Sequence, residues 1–157
     1  MKLLILLFLS FLSFGDYEVK STKFSDCKGK IANYYVGKIT KDGSISGWLE
    51  AADLHQQYYK ARGMDILVMP MGQYRRDENG DAIEKLHRVS TMVVGSQESW
   101  ASWGEYLDNR DQQTIDSDQI DYDNFVQKYN KNNEITARRL ICICLLYTSD
   151  AADDSLR

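Results

Sequence analysis

The segment Asp77-Glu78-Asn79-Gly80-Asp81 constrains the fold of this chain more than any other. Asn-Gly accepts the positive φ that a type I′ turn requires, so the segment reads as a hairpin. It stands between two β-forming runs. Ile66-Leu67-Val68-Met69 lies in a strand over 65–76, and a second strand over 86–94 puts Val89, Thr91 and Val93 on one face. The middle of the chain is thereby committed to an antiparallel sheet. Pro70 has no N–H to give to a ladder, which places the earlier strand at a sheet edge or gives it a bulge.

The remaining elements follow from periodicity. Residues 31–39 are rich in β-formers and stop at Asp42-Gly43, which makes them the first strand. Ser46 can cap a helix over 47–62 whose apolar stripe is Trp48, Ala51, Leu54, Tyr58 and Ala61, with Gly63 ending it. After the hairpin, Ser96 caps a second helix carrying Trp100, Trp103 and Leu107, and Glu98 sits in its first turn. A polar break over 109–117 precedes another helical stretch. There Tyr122, Phe125, Val126 and Tyr129 fall at i, i+3, i+4 and i+7. Asn132-Asn133 ends it, and 135–143 reads as a last strand.

Strand, helix, strand, strand, helices, strand is the split βαβ order. It predicts an α+β, ferredoxin-like βαββαβ fold, a four-stranded antiparallel sheet with helices on one face. In the usual sheet order the first strand lies beside the last, bringing Cys27 near Cys142. A disulfide between them is one expectation and two unpaired thiols the other. The uncovered face, with its Tyr, Val and Met residues, calls for burial against a second subunit, so a homodimer is expected.

Both ends read as foreign to this domain. Lys2 and the apolar run 3–14 form a secretory signal over 1–15, with cleavage before Asp16 and export to a periplasmic or extracellular location. The run is shorter than the about 20 apolar residues of a spanning helix, so no membrane segment is expected after cleavage; an uncleaved anchor is the other reading. Residues 16–30 form a polar lead-in to a domain over 31–143. Residues 144–154 resemble the translation of sequencing-adaptor DNA, which makes 144–157 an artefactual tail; a natural acidic tail is the other reading. Removing Lys2, Arg157 and the three aspartates of the tail lowers the 19 basic and 23 acidic residues to 17 and 20, a net charge of −3. That balance, with Arg75-Arg76 and Arg138-Arg139 the only basic pairs, argues against a nucleic-acid partner.

With the element order goes a local pattern, Val89-Ser90-Thr91-Met92-Val93-Val94-Gly95-Ser96-Gln97-Glu98-Ser99-Trp100-Ala101-Ser102-Trp103. A strand, a serine and a helix with an aromatic and a Trp three residues apart resemble the dimeric α/β-barrel superfamily, and within it the antibiotic-biosynthesis-monooxygenase-like proteins. The resemblance covers most of 31–143. Haem-degrading members use an Asn on the first strand with a Trp and a His on the second helix. Trp103 matches that Trp, but no His lies between Trp103 and Ile143 and Asn33 falls early on its strand, so no cofactor is expected. Cofactor-free oxygenases of the superfamily rely mostly on pocket shape.

The candidate chemistry is correspondingly sparse. His55 and His87 are the only histidines and the candidate catalytic acid–base groups; the alternative is two surface or partly packed histidines. Two His without matched Cys or carboxylate spacing do not make a zinc site, and no metal is expected. Asp116, Asp118, Asp121 and Asp123 read either as oxygen ligands for calcium or as the acidic start of a helix. Tyr34, Tyr59, Tyr74, Trp48 and Trp100, with Tyr35, Tyr58 and Trp103 as the candidate ligand-binding residues, can line an apolar pocket or simply pack the core. The expected function is binding of a small apolar or aromatic compound, with cofactor-free oxidation or isomerisation as its chemistry. The alternative is a non-catalytic exported binding or interaction module whose aromatics serve packing and dimerisation.

Overall fold

A computed structural model describes residues 23–143. The expected signal over 1–15, the first part of the expected lead-in and the expected tail over 144–157 lie outside the described residues. A short 3₁₀ turn, Phe24–Asp26, leads into β1 (Lys30–Ile39), α1 (Ile45–Lys60), β2 (Ile66–Arg76), β3 (Ala82–Gly95), α2 (Gln97–Asp108), α3 (Gln112–Asn132) and β4 (Asn133–Ile143). The strands form one antiparallel sheet in the order β2-β3-β1-β4, with the helices on one face. This is the ferredoxin-like α+β arrangement of the split βαβ order.

Alternation along the strands decides which residues meet the helices. Ile66 and Val68 of β2, and Val89, Thr91 and Val93 of β3, are all buried. Ile66, Val68 and Val93 lie under Ala52, Tyr58 and Tyr59 of α1 and Phe125 of α3 in one apolar cluster. Trp48 of α1 donates its indole N–H to Thr91 Oγ1 at 3.3 Å within this layer. On the opposite face the same alternation places Tyr34, Leu67, Met69, Met92 and Val94.

Pro70 does lie on an edge strand. Gln56 protects that edge from α1: its side-chain N–H donates to Ile66 O (3.0 Å) and its Oε1 accepts from Val68 N–H (2.8 Å). At the sheet's other side, β1 pairs with β4 from Lys30↔Ile143 to Ile39↔Asn133. Cys27 and Cys142 are joined there by a disulfide, with their Cα atoms 5.8 Å apart. The ladder slips between Val36 and Gly37. A Cβ at Gly37 would lie 1.9 Å from Asn133 Oδ1 and 2.7 Å from Glu134 O, so the bulge has room for glycine alone.

Several local details differ from the sequence reading. Ser44, not Ser46, caps α1. Its backbone is extended, its Oγ accepts from Gly47 N–H at 3.0 Å, and its own N–H is held by Asn132 Oδ1 at 2.9 Å. Gly63 closes that helix, its N–H donating to Lys60 O while Met64 N–H donates to Tyr59 O. The hairpin is not a type I′ turn, because only Gly80 has positive φ (89°). Gly80 N–H donates to Asp77 O and Asp77 N–H to Asp81 O, while Asp77 Oδ1 accepts from both Asn79 and Asp81 N–H. The Asp77 carboxylate thus stabilises a turn with negative φ at Asn79, followed by one left-handed glycine. α3 begins at Gln112 and so absorbs most of the expected polar break. Asp111 caps it by accepting from Thr114 N–H (2.8 Å), and Gln112 bonds Asp116 one turn on (2.8 Å).

Replacing Gly37 by Ala is expected to lower stability by about 1–3 kcal/mol, the usual range for forcing volume into a closed site. Urea unfolding of Gly37→Ala checks this; an unchanged midpoint would mean that the β1–β4 bulge relaxes freely.

Candidate functional site

Three helical periods and one strand alternation converge on a cavity of about 490 Å³ between the sheet and the helices. From α1 come His55, Tyr58 and Tyr59, at i, i+3 and i+4. From α3 come Tyr122, Phe125, Val126 and Tyr129, and from α2 Trp103 and Leu107. Asn33 and Tyr35 of β1 and Thr91 and Val93 of β3 supply the floor, and Asn133, Ile135 and Arg138 of β4 flank it.

The aromatic walls are interlocked. His55 stacks on Phe125 with ring centroids 4.2 Å apart and planes 8° from parallel, and it meets Tyr129 edge-on at 5.9 Å. Tyr59 packs edge-to-face on Trp103 at 5.2 Å, and Tyr58 does the same on Phe125 at 5.3 Å. Such pairs fix ring orientation beyond what apolar burial alone would do.

The polar groups of the walls are nearly all uncharged. Burial lowers the His55 pKa to about 4, so the imidazole is neutral at physiological pH. Its Nδ1 is buried without a hydrogen-bond partner among the described residues, and Asn133 Oδ1 shares that state. The Tyr129 hydroxyl is near Thr91 but falls short of hydrogen-bond geometry. Burial raises the pKa of the Tyr59 and Tyr129 phenols well above the ordinary value, and of Tyr35 and Tyr58 in the same direction. All four therefore keep their protons.

Charge is concentrated at one end, around Asp118. Its side chain is 5% exposed. Oδ1 accepts from Arg62 Nε at 2.8 Å, Oδ2 from Arg110 at 3.0 Å, and the Tyr106 hydroxyl donates to the pair at 3.0–3.1 Å. Burial works to raise the Asp118 pKa, but these donors outweigh it and hold the carboxyl below its ordinary value. Arg62 also reaches Asp121 at 2.9 Å, donates to Tyr58 O at 2.7 Å, and lies 3.9 Å over the Tyr58 ring. Two arginines and two aspartates make the cluster neutral.

Of the residues singled out in the sequence, His55, Tyr35, Tyr58 and Trp103 share the cavity. His87 does not line it. It lies on the far stretch of β3, past Gly37↔Val89, the last β1–β3 pair. Partial dehydration, then the charges of Arg75, Arg88 and Lys38, lower its pKa. The two histidines therefore do not form one acid–base site. Of the acidic cluster, Asp118 and Asp121 are taken up by arginines rather than arranged as oxygen ligands for a cation. Sequence reasoning passed over Arg110 and Arg138 as site residues. Arg138 was findable only through register, because it stands directly opposite Tyr35 across the β1–β4 ladder.

Asp118→Asn is expected to cost about 3–5 kcal/mol, since it leaves buried Arg62 short of its counter-charge. Asp121→Asn, at a carboxylate 55% exposed, is expected to cost under about 1 kcal/mol. Equal losses in denaturant unfolding would contradict this division. His55 makes stability depend on acid. Because its folded pKa of about 4 lies below the ordinary 6.5, the unfolded chain takes up the proton first. Stability is full above pH 6.5 and is lost as pH falls through 4, by about 3 kcal/mol in all. The difference between wild type and His55→Phe in unfolding free energy, followed from pH 7 to 4, should show this slope.

Against known families and characterised proteins, the sequence matches no family model and no curated protein.

Proposed function

We propose that this chain binds a small apolar or aromatic compound in the cavity between its sheet and helices. The observation that carries the reading is the cavity itself. About 490 Å³ is within the range of small-molecule sites, and its walls combine stacked aromatics with a few convergent, uncharged polar groups. His55 is the proton acceptor or hydrogen-bonding group for the bound compound. With a pKa of about 4 it is a weak base at neutral pH, which favours holding a ligand over abstracting its proton. Cofactor-free oxidation or isomerisation is the chemistry open to such a site, with His55 as its only cavity imidazole. The haem-degrading pattern needs a His on the second helix, and α2 has none.

The ferredoxin-like sheet and a Ser96-capped α2 bearing Trp100 and Trp103 support membership of the dimeric α/β-barrel superfamily, near the antibiotic-biosynthesis-monooxygenase-like proteins. On that reading a second copy covers the sheet face that carries Leu67, Met69 and Met92. The apolar N-terminal run and the Cys27–Cys142 disulfide support export to an oxidising location. One observation favours the non-catalytic alternative: Tyr58, Tyr59 and Phe125 belong to the core cluster, so packing alone accounts for part of the aromatic wall.

A thermal-shift screen of aromatic and apolar compounds tests the reading. A ligand at 100 times its Kd adds about 2.7 kcal/mol of stability, a shift of several degrees. That shift should shrink in Val126→Phe, which adds ring volume at the cavity wall. Silence across the set would leave the aromatics with packing alone.

A further inference from the structure

Resting on the binding reading above, we infer that the compound taken by the cavity is a monoanionic carboxylate with an apolar or aromatic body, and that Arg138 at the cavity mouth, with the Tyr35 hydroxyl beside it, holds the carboxylate. The inference comes from the charges around the cavity. Arg110 and Asp118 line it, but they belong to the cluster in which Arg62 and Arg110 balance Asp118 and Asp121. His55 is neutral and the phenols keep their protons, so neither contributes charge. That leaves Arg138. It lines the cavity, it is exposed, and no acidic side chain among the described residues forms an ion pair with it.

Its position is set by the sheet. Arg138 is the direct cross-strand partner of Tyr35, and the two residues project from neighbouring strands on the helix side. The guanidinium is near enough for its charge to favour the ionised Tyr35 phenol, although burial dominates and keeps the proton in place. A guanidinium fork on the strand next to a phenolic O–H offers the donors and the charge that a carboxylate takes. One uncompensated positive charge matches one negative charge. A dianion would carry surplus charge toward an aromatic interior that offers nothing to neutralise it. The rest of the ligand meets Tyr58, Trp103, Phe125 and Val126, which fit an apolar or aryl body.

Isothermal titration of the full chain with 2-naphthoate and with 2-naphthalenemethanol, the same ring system without the charge, tests this. The carboxylate should bind wild type about tenfold tighter than the alcohol. Arg138→Gln should abolish that preference, weakening the carboxylate far more than the alcohol, and Arg138→Lys should retain part of it. Because Arg138 is exposed, the variants should keep their circular dichroism. Independently of any substitution, the wild-type preference should shrink between about 20 mM and 0.5 M salt as screening increases. Equal binding of the two compounds, or a preference that survives in Arg138→Gln, overturns the role of Arg138 and leaves cavity binding standing. Failure of both compounds to bind wild type overturns the binding reading and this inference with it.

Discussion

The arrangement above the sheet depends on one nearly water-excluded carboxylate, Asp118. A buried charge is tolerated only where opposite charges and hydrogen bonds replace its hydration. Asp118, on α3, obtains them from Arg62 just past the end of α1 and from Tyr106 and Arg110 at the end of α2. All three helices are therefore held to one point. This matters most for α2, which has no fully buried residue of its own. The cluster fixes where α2 and α3 stand over the sheet, and with them Trp103 and Phe125 in the cavity wall. Arg62 lies over the Tyr58 ring, so the polar anchor and the aromatic wall are joined directly.

The rest of the scaffold keeps the opposite layer rigid. β1 is central, bonded to β3 on one side and β4 on the other, and it carries Asn33 and Tyr35 into the floor. Its N-terminal end is tied three ways. The disulfide reaches β4, the Gln97 side chain of α2 donates to Cys27 O, and the Trp100 indole N–H donates to Ile31 O at 3.0 Å. At the other end Asn132, where α3 passes into β4, holds the loop before α1 through the Ser44 N–H and through its own carbonyl, which accepts from Thr40 N–H. Floor and roof are thus cross-braced at both ends. A cavity can persist between them without collapsing into a close-packed core, because the surrounding elements cannot all move inward together.

Inside this frame the electrostatics follow from depth. Deep groups such as His55, Tyr59 and Tyr129 are pushed to their neutral forms because nothing charged lies close enough to offset desolvation. Charge persists only where partners replace hydration, as around buried Asp118, or where water reaches the group, as it does Arg138. The aromatic part of the cavity is thus neutral.

How much of this was legible in the sequence depends on how local the cause is. Periodicity placed Tyr122, Phe125, Val126 and Tyr129 on one helix face, alternation placed Val89, Thr91 and Val93 on one sheet face, and the missing N–H of Pro70 sent β2 to an edge. Each is a property of a few neighbouring residues, and the element order then leads to the ferredoxin-like sheet with β1 beside β4. Where the competing cause came from elsewhere in the chain or from side-chain geometry, sequence reasoning erred. Ser44 caps α1 in place of Ser46 with Asn132, 88 residues away, holding its N–H. The Asp77 carboxylate set the hairpin type, and the Asp111 cap carried α3 back through a polar stretch. His87 is separated from His55 because β3 extends beyond its pairing with β1, a length that alternation does not limit. Local pattern was thus enough for the elements, their order and their apolar faces. That Asp118 is an anchor rather than a cation ligand, that His55 is neutral, and that Arg138 lines the cavity depend on the folded chain. Those properties arise from distance and desolvation between segments that meet only after folding.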